Sequence, residues 1–183
     1  MNKLAVALAV SGAFALSIPA SPATASLETY EAKAAAAGAA ELAISDMVAT
    51  FGKGRVKPGQ FLWRDVPDSA GNERVVVSLS DQQAYLYRGS ELMAVAAVSS
   101  GATKTPTPTG IFQVLEKKTM HHSRKYDNAP MPFMHRIDRF GVALHAGHNP
   151  GRPASHGCVR LPKQFAQKLF SVTSVGTPVM IGA

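Results

Sequence analysis

The stretch RVVVSLSDQQAYLYRGSELMAVAAVS, residues 74 to 99, indicates the fold class of this chain. It contains three short runs of β-branched and aromatic residues, at 74–79, 83–88 and 92–99, and such runs favour strands. The sequence RGSE is typical of a hairpin turn between the last two runs. These residues therefore predict a β-meander.

The sequence that follows the meander continues the β pattern. The prolines of SGATKTPTPTG, residues 100–110, require a loop. Further strands are predicted at 111–117, 133–137, 141–145 and 178–181. We therefore expect a mainly β domain of sandwich or barrel type.

One helix is predicted after residue 161. Pro162 suits a first helical turn, and Gly176 offers a stop. The residues between them repeat at helical spacing, with apolar side chains at 165, 166, 169 and 170. This helix follows directly on the segment that holds the only cysteine of the chain.

Residues 1–25 are predicted to be a secretory signal peptide. Lys3 forms a short positive region, residues 4 to 18 are apolar, and Ala23-Thr24-Ala25 is a small-residue cleavage site. The apolar stretch is shorter than the ~20 residues that span a bilayer, and we expect no membrane span later in the chain. The protein is therefore expected in the periplasm or cell envelope.

The next segment, residues 26–60, is Ala-rich and predicts a helix, because Ala has the highest helix propensity. Its apolar positions form no clean stripe, which favours a tether over a part of the core. The glycines and proline of GKGRVKPGQ, residues 52–60, predict its boundary. Residues 61–183 are then expected to form one domain.

The chain is basic, with 19 Lys and Arg against 12 Asp and Glu. Loss of residues 1–25 removes one Lys and leaves a formal charge of +6. Export and the scattered positions of the basic residues argue against a nucleic-acid partner. The charge instead indicates a soluble surface with a mild attraction to an anionic envelope.

The single cysteine lies in ASHGCVRLP, residues 154–162. An exported cysteine without a partner is open to oxidation unless it is buried or used, so Cys158 is either an inert core residue or a nucleophile. A nucleophile needs a base or a positive environment that lowers the thiol pKa. Gly157 beside it lets main-chain N–H groups approach an oxyanion.

All six histidines precede Cys158. His145 is the best candidate base, because GVALH places it at the end of a predicted strand; a surface or core-edge histidine is the alternative. His156 is two residues from the cysteine and is predicted to assist. His148 is expected at the rim, and His121 and His122 are interpreted as structural or substrate-facing. The chain lacks the tight ligand pairs of zinc sites, so neither metal nor cofactor is expected.

The motif S-H-G-C-V-R at 155–160, with an upstream His, resembles the YkuD-type catalytic domain of the L,D-transpeptidases. VVVSLSDQQAYLYRGSELMAVAAVSSG resembles its opening strands, and TPTPTGIF its threonine-proline-glycine turn. GVALHAG resembles the other part of its active site. The resemblance covers residues 74 to 183 approximately and implies that 61–183 is the catalytic domain.

This resemblance implies an enzyme that acts on peptidoglycan stem peptides. Cys158 would attack the carbonyl between meso-diaminopimelate and the terminal D-Ala of a tetrapeptide stem, release D-Ala, and pass the acyl group to an amine. His145 would accept the thiol proton, oriented by a carbonyl near Ala146 or Gly147. The N–H groups of Gly157 and Cys158 would form the oxyanion hole.

Two further residues receive roles from the same resemblance. Arg160 would bind a carboxylate of the donor stem, the alternative being a solvated surface charge. Ser155 would help to bind substrate by fixing the turn or His145, or it is a simple turn residue. The segment after His145 is shorter than in many family members, and Ala146 replaces a frequent Gly. The cleft is therefore expected either to be more open or to be covered by a loop at residues 119–131, the alternative for that loop being an ordinary surface insertion.

Three functions remain open from the sequence. The first is transfer to a second stem or an envelope protein, for cell-wall cross-linking or protein attachment. The second uses water as acceptor, as an L,D-carboxypeptidase or endopeptidase does. The third is a non-catalytic, envelope-binding β domain.

Overall fold

The computed structural model describes residues 26–183, so the predicted signal peptide lies outside the described residues. The described chain contains two α-helices, α1 (Tyr30–Phe51) and α2 (Lys163–Val172). Its strands are β1 (Ser26–Leu27), β2 (Phe61–Trp63), β3 (Glu73–Ser78), β4 (Gln83–Arg88), β5 (Glu91–Ala97), β6 (Gly110–Gln113), β7 (Glu116–Ser123), β8 (Ala129–Arg136), β9 (Ala143–Ala146), β10 (Val159–Leu161) and β11 (Pro178–Gly182).

The strands form two sheets. The seven-stranded sheet has the order β1-β6-β11-β3-β4-β5-β2, and the four-stranded sheet has the order β10-β9-β8-β7. The meander β3-β4-β5 is antiparallel, as predicted, whereas β11 lies parallel to β3 and antiparallel to β6. The predicted mainly β fold is confirmed.

Both faces of the large sheet are buried, which explains its continuous apolar runs. Val75 and Val77 point into a core shared with the small sheet and α2, while Val76 between them points into a second core under α1. The same alternation separates Leu86 from Tyr85. A period of two therefore divides each strand between two cores.

The predicted N-terminal helix is confirmed, but the interpretation of this segment as a tether is wrong. Helix α1 packs on β11, β3, β6 and β5. One of its faces is buried, through Ala32, Ala36, Ala40, Ala43 and Met47. The helix approaches β11 so closely that a Cβ at Gly182 would lie 2.6 Å from the Ala36 carbonyl oxygen. Small residues on both sides make this contact possible.

Helix α1 also changes the expectation about membrane spans. By length and composition it is the one described helix that is apolar enough to cross a membrane. The prediction that no stretch after residue 25 would meet this criterion is therefore wrong. In the fold its alanine face lies against the sheet instead.

Three predicted elements differ in detail. The predicted strand 111–117 is two strands, β6 and β7, which lie in different sheets. Residues 119–131 are not a loop but most of a hairpin, since β7 and β8 pair from Glu116 to Ser123. Helix α2 ends at Val172, before Gly176, and Pro162 is its N-terminal flanking residue.

The glycine-rich segment 52–60 is fixed to the domain. Val56 is buried, and its N–H donates to Oε1 of Gln83 at 2.8 Å. Pro58 packs against Gly151, where a Cβ would lie 2.7 Å from the proline Cγ. This segment therefore forms part of the surface near residues 147–152.

Candidate active site

The parallel pairing of β9 with β10 brings the predicted nucleophile and base together. Arg160 pairs with His145, and Val159 pairs with Leu144. Because side chains alternate along strands, His145, Arg160 and Cys158 face one side, whereas Val159 and Leu144 face the core. All three outward residues line one cavity.

This cavity has a volume of about 420 Å³. The β7–β8 hairpin contributes one wall, from Ser123 to Met131, and the loop 140–142 contributes another. The turn that carries Cys158 forms the floor together with His145. The volume lies within the range of small-molecule and peptide sites.

His145 is buried and held in one orientation. Its Nδ1 lies 2.9 Å from the Ala146 carbonyl oxygen, as the resemblance predicts. A carbonyl only accepts, so Nδ1 carries the proton and Nε2 is left as a base. Burial lowers the pKa of His145 below its ordinary 6.5. The hydrogen bond to the Ala146 carbonyl acts to raise this pKa, and the charges of Arg160 and His121 lower it further.

The Cys158 thiol is uncharged in this environment. Its pKa is raised above the ordinary 9.0, mainly by burial. A hydrogen bond with the Ala143 backbone opposes this, while the charges of Asp138 and Arg160 act in opposite directions, Asp138 raising the pKa and Arg160 lowering it. Its Sγ lies 3.8 Å from the Gly141 carbonyl oxygen, which accepts from a thiol. Burial therefore outweighs the positive groups around the thiol, and the direction is opposite to the one expected from the sequence.

The turn before Cys158 depends on Ser155 and Gly157. The buried Ser155 hydroxyl donates to the Cys158 carbonyl and accepts from the Gly157 N–H at 3.1 Å. Gly157 has φ of +113°, a conformation that L residues rarely adopt. Ser155 is therefore a turn residue, not a free substrate ligand, although it lines the cavity.

These bonds distinguish the two N–H groups that the resemblance assigns to an oxyanion hole. The Gly157 N–H is taken up by Ser155 Oγ, so its contribution is its backbone conformation. The Gly157 carbonyl accepts from Thr107 Oγ1 at 2.8 Å, and Thr107 accepts from the Gly101 N–H at 2.8 Å. The N–H of Cys158 is the donor that remains for an oxyanion.

The segment that follows β5 supports both sides of this turn. Ser99 pairs with Arg160, and Gly101 pairs with Ser155. Gln82 holds the residue between them: its Oε1 accepts from the Ser100 N–H at 3.0 Å, and its Nε2 donates to Ser100 Oγ at 2.7 Å. Sequence analysis did not identify Gln82 or Thr107, because their partners lie 18 and 50 residues away.

Arg160 is half-buried and reaches along the cavity. Its side chain crosses Gly147, where a Cβ would lie 3.1 Å from the arginine Cγ. No carboxylate among residues 26–183 forms an ion pair with it. A guanidinium without an acidic partner, next to a thiol, can bind a substrate carboxylate.

The other predicted histidines differ in position. His156 is exposed and stacks on Tyr126 of the hairpin, with ring centroids 4.3 Å apart and planes at 16°. His148 lines the cavity, as expected for a rim residue. His121 and His122 are neighbours on β7, and only His121 is close enough to influence the pKa of His145. Within residues 26–183, no cluster of three His, Cys, Asp or Glu side chains suits a metal ion.

Solved structures with the same fold are L,D-transpeptidases. The chain superposes on one from Xylanimonas cellulosilytica with a TM-score of 0.56 and 26% identity, covering 65% of this chain and 64% of that one. An L,D-transpeptidase from Mycobacterium smegmatis superposes with a TM-score of 0.56 and 22% identity, and the match covers 61% of this chain and 59% of that one. L,D-transpeptidase 3 from Mycobacterium tuberculosis was solved with a faropenem-derived adduct. It superposes with a TM-score of 0.56 and 20% identity, and the match covers 61% of this chain and 60% of that one.

The match covers part of these relatives, since the chain spans about three fifths of the length of the Mycobacterium smegmatis enzyme. No curated protein sequence matches the chain. The model of the YkuD family, the L,D-transpeptidase catalytic domain, matches residues 72–181. This range includes every strand from β3 to β10, the cysteine turn and α2. The chain therefore belongs to the YkuD family of L,D-transpeptidase catalytic domains.

Proposed function

We propose that this protein is a peptidoglycan L,D-transpeptidase with Cys158 as its nucleophile. The observation that carries the proposal is the parallel pairing of β9 and β10, which aligns Cys158, His145 and Arg160 on one wall of a single cavity. A nucleophile, a base and an anion-binding group are the three parts that acyl transfer from a carboxylate-bearing peptide requires.

The first half-reaction begins with an uncharged thiol and an uncharged imidazole. Sγ of Cys158 attacks the carbonyl carbon between meso-diaminopimelate and D-Ala while the thiol proton passes to Nε2 of His145. The Cys158 N–H donates to the oxyanion. Collapse of the intermediate breaks the C–N bond, and His145 returns the proton to the leaving D-Ala amine. A thioester and D-Ala are the products.

The second half-reaction regenerates the thiol. A neutral acceptor amine attacks the thioester carbonyl, the C–S bond breaks, and one amine proton reaches the sulfur through His145. Arg160 binds a donor-stem carboxylate during both halves. With water in place of the amine the same steps give an L,D-carboxypeptidase; an amine of an envelope protein would give protein attachment.

The proposed location is the cell envelope, outside the cytoplasm. The predicted signal peptide and the substrate class support this location. The non-catalytic alternative is less well supported, because a binding domain has no need for an oriented His145 next to the only thiol of the chain.

Intact-protein mass spectrometry tests the nucleophile. Incubation with faropenem should add one covalent adduct to the protein, and Cys158→Ala should form none. His145→Gln should slow adduct formation by about 10²-fold or more, the usual effect of losing a general base. His122→Gln is the matched control, because His122 is exposed and is not among the cavity residues. Adduct formation by Cys158→Ala would contradict the proposal.

The products from tetrapeptide muropeptides identify the reaction. Dimers with release of D-Ala mean transfer, whereas tripeptides without dimers mean hydrolysis. If the protein forms the faropenem adduct but gives neither dimers nor tripeptides, the proposed nucleophile is right and the proposed substrate class is wrong.

A further inference from the structure

A second depression adjoins the catalytic cavity. Gly147 and His148 line the catalytic cavity and also a neighbouring one of about 400 Å³. That cavity shares Gly59, Phe61 and Gln164 with a third, of about 600 Å³, formed by the segment 53–62. We call the second and third cavities together the basic groove. It leads from the ridge at Gly147 and His148 past the start of α2.

The charged residues of the basic groove are all cations. Lys53, Arg55, Lys57 and Lys163 line it, and neither of its cavities is lined by Asp or Glu. All four are exposed, and none forms an ion pair with a carboxylate of residues 26–183. Four cations beside a reaction site, without acidic partners, favour an anionic ligand.

The groove is a fixed surface, although three of its cations lie on a glycine-rich segment. Val56 is anchored to Gln83, and Pro58 packs on Gly151. Asn149, which also lines the groove, accepts from the Gly151 N–H at 2.8 Å. Its Nδ2 is the one buried side-chain polar atom in the described chain without a hydrogen bond. A buried donor of this kind is satisfied when a ligand supplies an acceptor.

The proposed reaction needs a second substrate with matching chemistry. Once the donor acyl group occupies the catalytic cavity, the acceptor amine must arrive through an adjoining opening. The free amine of a meso-diaminopimelate side chain is bonded to a carbon that also carries a carboxylate. Cations near that carboxylate bind the acceptor, and they also favour the neutral, nucleophilic form of the amine.

We propose that the basic groove binds the acceptor stem peptide through its carboxylates, with Lys57 and Lys163 as the principal contacts. This inference rests on the proposed transpeptidase function, to which it adds the acceptor site. The segment 52–60, predicted only as a boundary, thereby contributes directly to the reaction.

The test separates the two half-reactions in the full chain. Lys57→Ala combined with Lys163→Ala should raise the KM for a tripeptide acceptor about three- to tenfold, because each exposed ion pair contributes modestly. The rate of D-Ala release, which accompanies formation of the acyl-enzyme, should stay within twofold of the rate for the unaltered protein. Lys33→Ala combined with Lys104→Ala removes the same charge from exposed positions outside the groove and should change neither quantity.

Charge reversal and salt sharpen the result. Lys57→Glu combined with Lys163→Glu should raise the acceptor KM further and shift products from dimers to hydrolysed tripeptides. The KM of the unaltered protein should rise with NaCl, and that of the double alanine variant should rise less.

An unchanged acceptor KM in the charge-reversed variant would overturn the acceptor site. If the same variant also bound isolated cell walls more weakly, the groove would be assigned to an anionic wall polymer instead. Failure of the proposed function is distinguishable, because the unaltered protein would then either form no acyl-enzyme from tetrapeptide muropeptides or form it and give only hydrolysed tripeptides at every acceptor concentration.

Discussion

Burial keeps both members of the proposed acid–base pair uncharged at rest. It raises the pKa of the Cys158 thiol and lowers the pKa of the His145 imidazole. The thiolate is the form that oxidants and stray electrophiles attack, so a neutral thiol is protected from both. Ionisation is then coupled to attack on a bound carbonyl.

The pH profile of faropenem adduct formation tests this coupling. Only neutral His145 accepts a proton, and its pKa lies below 6.5. The rate should therefore be flat near pH 8 and fall to half of that value only at a pH below 6.5. In His145→Gln the rate should follow the thiolate fraction, rising about tenfold per pH unit up to pH 9. A tenfold rise per unit in the unaltered protein between pH 6.5 and 8 would show instead that the thiol loses its proton to solvent before attack, without His145 as the base.

Gly157→Ala tests the backbone conformation of the cysteine turn. A Cβ at Gly157 would meet nothing closer than 3.7 Å, so the effect isolates strain at φ of +113°. We expect the free energy of unfolding to fall by about 1–3 kcal/mol, with slower adduct formation. Urea titration at constant m-value measures the change.

Gly38→Ala is the matched control for that substitution. Gly38 is helical and has open space around its Cβ position. Alanine there should stabilise the protein by about 0.5–1 kcal/mol and leave adduct formation unchanged. Equal effects of the two substitutions would contradict the role given to the Gly157 conformation.

The motif around Cys158 could be interpreted from sequence because its chemistry is local. Ser155, Gly157 and Arg160 lie within three residues of the nucleophile. The groups that hold this turn from outside, Gln82 and Thr107, are uncharged residues whose partners are far away in sequence. Only the fold brings them together, and their residue types carry no signal of that contact.

At the scale of elements, the tip of the β7–β8 hairpin contacts the cysteine turn through a stacked pair, Tyr126 on His156. Stacking of this kind contributes about 0.5–1.5 kcal/mol. Because His156 is exposed and its ring face is covered, we expect it to act by holding the hairpin tip. His156→Phe should therefore keep the adduct rate, whereas His156→Ala should lower it several-fold. Equal losses in both variants would support the predicted assisting role in proton transfer instead.

Elements with weak periodicity were the ones that sequence predicted poorly. Strand β7 is intermediate or exposed along its length, so it lacks the alternation that marks a strand. Helix α1 buries alanines and also exposes alanines, which hides its packed face. The run 111–117 passes from one sheet to the other without a polar break. The meander and α2 could be predicted because their buried positions are marked in the sequence, by runs of β-branched and aromatic residues in the meander and by apolar residues at helical spacing in α2.

For the whole molecule, α1 is predicted to be essential for folding. Without residues 26–52, Val76, Tyr85, Tyr87 and Val95 of the large sheet would lose their cover. We expect a chain starting at residue 53 to bind a hydrophobic dye and to lose cooperative thermal unfolding, whereas one starting at Ser26 should retain it. Cooperative unfolding of the shorter chain at an unchanged midpoint would restore the tether interpretation.

The central position of β11 also sets the order of assembly. Residues 178–182 lie between β6 and β3, so the large sheet stays in two parts until this last element of the described chain is available. A nascent chain therefore cannot complete its main sheet before residue 182 has left the ribosome. The long-range pairing of β11 with β3 and β6 is therefore a late step in folding, and it joins the two parts of the large sheet.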